Sequence, residues 1–293
     1  MPELPDISVY LEALRARIGG QRLQWIDLSS PFLLRTVEPA PGDAVGFELR
    51  TVHRIGKQIV LHFANEICFV VHLMVAGRLR WRESGQRIKG KRGLAHLDFE
   101  NGTLAITEEG SRQRASLHVV RGLDALRAFD RGGIDLRAAS VGELGDRLCS
   151  ANHTLKRALT DPRITDGLGN AYSDEILHRA RLSPFKLTRE LSRNELERLH
   201  EAIGWTIDQW IAELRRIAGG NFPEKVTAFR EGMAAHGRFG EPCPVCGAPI
   251  QRIVYGRRET NYCPKCQTGG KIFADRALSR LLKKDWPRSL DEL

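Results

Sequence analysis

The chain has 293 residues, 42% of them apolar, which is enough for a large core in one or two domains. No uninterrupted apolar run reaches the roughly 18 residues of a membrane helix, and the N-terminus carries acids where a secretory leader carries basic residues. The expectation is a cytoplasmic protein with no membrane partner. The net charge is +9, and residues 215–293 hold 15 basic against 8 acidic side chains, or +7. Such a surface suits a polyanion such as nucleic acid, although solubility charge alone would look the same.

The first element is PDISVYLEALRARIGG, where Ile7, Tyr10, Leu11, Leu14 and Ile18 recur at helical spacing before a Gly-Gly stop. From Gln21 to Val120 short alternating runs replace that period. AHLDFENGTLAIT reads as two strands around an Asn101-Gly102 turn, and KQIVLHFANEICFVVHLMVAGRLRW as further strands. A leading helix and a β-sandwich are therefore expected. Helical pattern returns near Gly142. SRNELERLHEAIGWTIDQWIAELRR opens with a Ser192/Glu195 capping box and keeps Leu196, Leu199, Ile203, Ile207, Trp210 and Leu214 on one face. RIAGGNFPEKVTAFREGMAAHGRFGEP has no period and reads as a loop with a mobile centre. ADRALSRLLKKDW reads as a short basic helix.

Two stretches carry chemistry. In DGLGNAYSDEILHRARLSP, Gly167 and Gly169 precede a helix starting at Asn170, whose free N–H groups suit a phosphate; a simple cap is the equal alternative. CPVCGAPIQRIVYGRRETNYCPKC places Cys243 and Cys246, a gap of sixteen residues, then Cys263 and Cys266. Two CxxC knuckles on a hairpin match one tetrahedral zinc ion. A redox pair, disulfides and an iron–sulfur cluster compete; a reducing compartment disfavours disulfides. Four thiolates leave no open coordination position, so the zinc is structural and the ribbon presents Arg257 and Arg258. Cys68 and Cys149 read as ordinary thiols.

PELPD at the terminus, GLGNAYSDE in mid-chain and the four-cysteine ribbon occur in this order in one family. Over residues 2 to about 268 the chain resembles the formamidopyrimidine-DNA glycosylase/endonuclease VIII family, nearer its formamidopyrimidine branch. The resemblance implies an α+β multidomain fold: an N-terminal catalytic β-sandwich with leading helix (2–130), a helix–two-turn–helix domain (140–225) and a zinc ribbon (235–270), followed by a basic helical tail (271–293). It implies a monomer on damaged double-stranded DNA, acting as a bifunctional glycosylase and AP lyase of base-excision repair. Removal of Met1 would leave Pro2 as a secondary amine, and α-amines have a pKa of only about 8. The family's chemistry then makes Pro2 the nucleophile and Glu3 its proton shuttle. Taken alone, PELPD would be a Pro-initiated helix with an acidic first turn.

Further roles follow from the resemblance residue by residue. Lys57 in HRIGKQIVL matches a lysine that touches phosphate and assists elimination. His72, Lys156 and Asn170 match DNA-backbone contacts, Glu175 an orienting acid, and Arg258 the ribbon arginine beside the flipped nucleotide. Asp6 stands where a glutamate is usual. The departures concern the lesion. HLMVAG puts Val75 where the branch has a gap-filling methionine, with Met74 one residue earlier. TEEGSRQRASL lacks the branch's aromatic wedge and leaves Arg112, Gln113 and Arg114 to enter the stack. Leu94 replaces an expected histidine, with His96 nearby. The loop 219–240 is also unlike the branch's text. A non-catalytic damaged-DNA or RNA-binding protein on the same scaffold is the alternative.

Overall fold

The structure, a computed structural model, describes residues 1–293 except 111, 225–229, 257, 275–279, 282–285 and 293. Two compact units are present: residues 1–131 with 209–228, and residues 132–208 with 229–293.

The first unit opens with α1 (Leu4–Ile18). Its apolar face, including Ile7, Tyr10, Leu11, Leu14 and Ile18, is buried as the periodicity predicts. Strands β1 (Trp25–Leu28), β2 (Leu49–Ile55), β3 (Gln58–Phe63) and β4 (Ile67–His72) follow, then β5 (Gly77–Arg82), β6 (Gly93–Phe99), β7 (Gly102–Glu108), β8 (Ser116–Arg121) and a short α2 (Gly122–Arg127). They form two antiparallel four-stranded sheets, ordered β1-β6-β7-β5 and β2-β3-β4-β8. Alternate side chains of both sheets and the inner face of α1 share one core that includes Phe63, Phe69 and Phe99.

Two local expectations change. The β6–β7 connection is Glu100-Asn101, with Phe99 paired to Gly102. Gly102 is thus the first strand residue, and it is glycine because the Trp81 ring lies where a Cβ would project. The period-free segment after the long helix is also partly anchored. Phe222 enters the first unit's core, 5.8 Å from Tyr10 and 6.4 Å from Trp81 between ring centroids. Glu224 then pairs with both Arg80 and Arg82. The expected mobile centre falls on 225–229, outside the described residues.

The second unit is helical and then ribbon-like. It contains α3 (Val141–Cys149), α4 (Leu155–Thr160) and α5 (Asn170–Arg179); the long α6 (Arg193–Ala218) starts in it and ends in the first unit's residues. The capping box of α6 forms: Glu195 accepts from Ser192 N–H at 2.9 Å and donates its own N–H to Ser192 Oγ at 3.3 Å. Strands β9 (Gln251–Tyr255) and β10 (Arg258–Tyr262) make the ribbon hairpin, and α7 (Pro264–Thr268) closes it. The basic helical tail lies largely outside the described residues, as do Ser111 and Arg257. Among the described residues no helix is long and apolar enough to cross a membrane.

Candidate active site and nucleic-acid interface

The first site is built at the start of α1. Pro2, Glu3 and Asp6 are all buried, an unusual density of polar chain at a terminus. Asp6 accepts the Glu3 N–H at 2.8 Å, and Ile7 N–H closes the first turn on Glu3 O at 2.9 Å. The acid at position 6 thus satisfies a helix-terminal donor from inside the first turn.

Charged groups converge on the chain's amine. Burial pushes the Met1 α-amine below its ordinary value; Glu3 and Asp6 oppose the shift, while Arg78 and Lys57 add to it. Lys57 is delivered by the two-residue turn between β2 and β3, where Ile55 pairs with Gln58. Gly56, the turn's first residue, has φ +60°, which a side chain would disfavour. His72 ends β4. Burial, with Lys57, His118 and the α-amine, pushes its pKa down to about 4. Its Nδ1 accepts the Met74 N–H at 3.0 Å, so near neutral pH the ring is uncharged and Nε2–H is its donor. The structure therefore brings Pro2, Glu3, Lys57 and His72 into one neighbourhood. Arg78 belongs to it too, although the sequence reading passed over it; nothing in GRLRWR separates it from Arg80 or Arg82.

The departures in the lesion-facing loops have clear placements. Val75 sits at a turn tip and is 58% exposed, whereas Met74 is partly covered with φ +52°. Gln113 is tied down: its Oε1 accepts from Ser30 Oγ at 2.9 Å and its Nε2 donates to Lys91 O at 3.0 Å. Arg112 and Arg114 remain exposed. Leu94 and His96 are core residues, with His96 Nε2 accepting the Ile88 N–H at 2.9 Å.

In the second unit, Asn170 is the first residue of α5, and its Nδ2 donates to Glu259 O of β10 at 2.7 Å. That bond ties the helix start to the hairpin whose exposed Arg258 stands at the head of β10. Glu175 is buried and accepts N–H groups from Ala234, Ala235 and His236 at 2.7–2.9 Å. Burial pushes its carboxyl above the ordinary range against the pull of those three donors. It thereby fixes the chain that re-enters after residue 229.

Lys156 has a different setting from the one its sequence suggests. Its Nζ donates to Asn170 O at 2.6 Å, Ser173 Oγ at 2.8 Å and Asp174 Oδ1 at 2.5 Å. All three N–H donors are spent inside the protein, so the side chain orients α5 and offers no free charge to solvent. Asp174, which the sequence reading missed, also accepts from His236 Nδ1 at 2.8 Å and Asn261 Nδ2 at 3.3 Å. Lys156→Met is expected to destabilise the second unit by about 3–5 kcal/mol, because it strands a fully buried carboxylate. Thermal denaturation checks this. A large loss of DNA affinity at unchanged stability would instead place the amine on a phosphate.

The four ribbon thiols form the third cluster. The Sγ atoms of Cys243, Cys246, Cys263 and Cys266 all lie within 4.8 Å of one another. The separations Cys243–Cys266, 4.0 Å, and Cys246–Cys263, 3.3 Å, bracket the roughly 3.8 Å edge of a tetrahedron with Zn–S bonds of about 2.3 Å. The site fits one structural zinc ion held by four thiolates. His178 Nε2 lies 3.2 Å from Cys243 Sγ, a contact of the kind that orients metal ligands.

Comparison with known proteins gives the family of the chain. Residues 1–116 match the formamidopyrimidine-DNA glycosylase N-terminal domain, 135–217 the formamidopyrimidine-DNA glycosylase H2TH domain, and 240–269 the zinc finger found in FPG and IleRS. A formamidopyrimidine-DNA glycosylase of Desulforamulus reducens is 31% identical over 280 residues, covering 91% of this chain and 99% of that protein. An uncharacterized formamidopyrimidine-DNA glycosylase-like protein of Mycobacterium tuberculosis is 40% identical over 151 residues, 52% of this chain and 94% of its own length. A Lactococcus lactis FPG mutant, solved with DNA containing Fapy-dG, superposes with TM-score 0.78 at 25% identity, covering 91% of this chain and 100% of that one. These matches define a DNA-binding glycosylase of DNA repair that carries a zinc finger. The chain belongs to the formamidopyrimidine-DNA glycosylase family, whose members are hydrolases acting on DNA.

Proposed function

We propose that this glycosylase is bifunctional, excising a damaged base and nicking the abasic strand through a Schiff base on Pro2. The observation that carries the reading is the buried Pro2–Glu3 start of α1, beside a chain terminus whose amine is lowered by burial and acted on by Glu3, Asp6, Arg78 and Lys57. Once Met1 is removed, Pro2, itself buried beside that position, bears the chain's α-amine. Its neutral form attacks the sugar C1′, and the base departs with the bonding pair. The resulting C1′ aminal opens as the C1′–O4′ bond breaks and O4′ takes a proton from Glu3; a secondary amine then gives a cationic iminium, which acidifies the C2′ proton. Loss of that proton breaks the 3′ C–O bond by β-elimination, and δ-elimination can follow. Glu3 moves protons at the sugar, and Lys57 assists elimination. Neutral His72 donates Nε2–H to a phosphate, and Asn170 and Arg258 bind phosphates from the second unit. Borohydride trapping on an abasic duplex tests the reading; a protein that binds the duplex without trapping would be the non-catalytic alternative.

Oxidised or ring-opened bases are the substrate class. Extrusion costs a few kcal/mol and least for bases already unpaired or damaged. Val75 is short and Gln113 is tied down, so stably paired lesions are handled poorly. Excision of 8-oxoguanine opposite cytosine is expected to be at least about tenfold slower than incision at an abasic site in the same sequence. Single-turnover kinetics on both duplexes check this, and equal rates would show that Arg112 and Arg114 compensate.

A further inference from the structure

One feature of the first unit has no part in the chemistry at Pro2. Phe32 is 70% exposed, although the residues on either side of it are firmly held. It lies in a single 3₁₀ turn, Pro31–Leu33, whose Leu33 is buried in the core. Ser30 is buried, donates its N–H to Leu94 O at 3.0 Å and anchors Gln113 through its hydroxyl. After the turn, Arg35 N–H is bonded to Leu117 O at 2.9 Å. The backbone thus holds a large aromatic ring in solvent from a fixed base.

The ring lines a groove with Arg35, Lys91, Arg92, Arg112 and Arg114. The acids there are already engaged. Glu108 is buried and accepts the N–H groups of Arg114 and Ala115, at 2.8 and 3.2 Å. Glu109 pairs with Arg80 at 2.5 Å and with Arg92 at 3.3 Å. Arginines around one rigid, exposed aromatic ring are the elements of a single-strand stacking site: cations follow phosphates, and the ring offers a π-face to any base. The Ser30–Gln113 bond fastens the Phe32 turn to the chain that carries Arg112 and Arg114.

We propose that Phe32 stacks on an unpaired DNA base, with Arg112, Arg114 and Arg35 holding the flanking phosphates. The aromatic contact that the 110–114 loop cannot make is supplied from a different part of the chain. The occupant is a nucleotide without its pairing partner, such as the base left opposite a lesion. This deepens the proposed function and rests on DNA being the ligand.

The test is equilibrium binding of the processed full-length protein to three labelled DNAs. These are a fully paired duplex, the same duplex with one base opposite a non-cleavable abasic analogue, and the corresponding single strand. Phe32→Ala is expected to weaken binding to the second and third about tenfold, the size of one base–aromatic stack. Its affinity for the paired duplex should stay within about twofold, because the phosphate contacts remain. Phe32→Trp should restore tight binding. Arg112→Ala should weaken all three and lower the salt slope by about one. Equal losses for Phe32→Ala on paired and unpaired DNA, or no loss on either, overturn the stacking role. Borohydride trapping of the wild type on a natural abasic site is run beside it, so failure of the Pro2 chemistry is read separately.

Discussion

Pro2→Gly is expected to lower turnover on base lesions by about 100-fold or more, the order associated with a positioned reacting group. Glycine keeps an α-amine at the same place, so the loss isolates what proline adds. A secondary amine forms an iminium that is cationic without a further proton; a primary amine forms an imine that must be protonated first. The pyrrolidine ring also ties the nitrogen back to its own Cα, fixing the direction of the amine at the start of α1. The pH profile follows from the electrostatics. The neutral amine is the nucleophile, so its active fraction rises as pH passes upward through the amine pKa. Burial lowers the Met1 α-amine of the unprocessed chain against the pull of Glu3 and Asp6, with Arg78 and Lys57 adding to the shift, and Pro2 next to it is more deeply buried. The acid limb should therefore lie below the ordinary value of about 8. Intact mass should show Met1 absent, and peptide mapping of the borohydride adduct should place it on Pro2. An adduct on Lys57 in the wild type would sink the assignment.

Cys263→Ser is expected to remove the zinc ion and to weaken DNA binding at least about tenfold, as expected when several phosphate contacts are lost together. Among the described residues the cluster around the thiols is small, Cys243, Ile250 and Cys263, with Tyr262 packed beside it on Phe185 and Phe273, while Tyr255 and Val254 are exposed. Metal binding is then close to the whole folding free energy of the hairpin, about 10–16 kcal/mol in comparable zinc peptides. Losing the hairpin displaces Arg258 and removes the Glu259 carbonyl that holds Asn170. The first unit has its own core and should melt as before. Metal analysis, DNA-binding anisotropy and thermal denaturation of one preparation check the three parts. Metal-free protein that bound lesion duplex as tightly as the holo-protein would give the ribbon another role.

Most of the fold was legible because its signals are local. Ile7, Tyr10, Leu11, Leu14 and Ile18 announce one helical face whatever they pack against. Ser192 and Glu195 announce a helix start from three residues apart. The cysteine pairs announce a metal because each CxxC closes on itself. The Asn101-Gly102 reading failed for the opposite reason: Gly102 answers to the Trp81 ring, and no turn rule contains that ring.

The sequence by itself determined which residue types stand at the start of α1, on the α5 helix and on the ribbon, and their order placed the chain in its family. Only the tertiary structure decided what those side chains do with their charges. Lys156 matches a DNA-backbone contact in the sequence, yet folding seats it on Asp174 and spends all its donors. His72 matches a DNA-backbone contact in the sequence, and burial beside Lys57 leaves it a neutral donor. Phe222 reads as loop, and the packing of Tyr10 and Trp81 makes it core. The reason is common to all three. Periodicity, capping and ligand spacing act over a few residues, whereas desolvation and pairing are set by groups that approach only when distant segments meet.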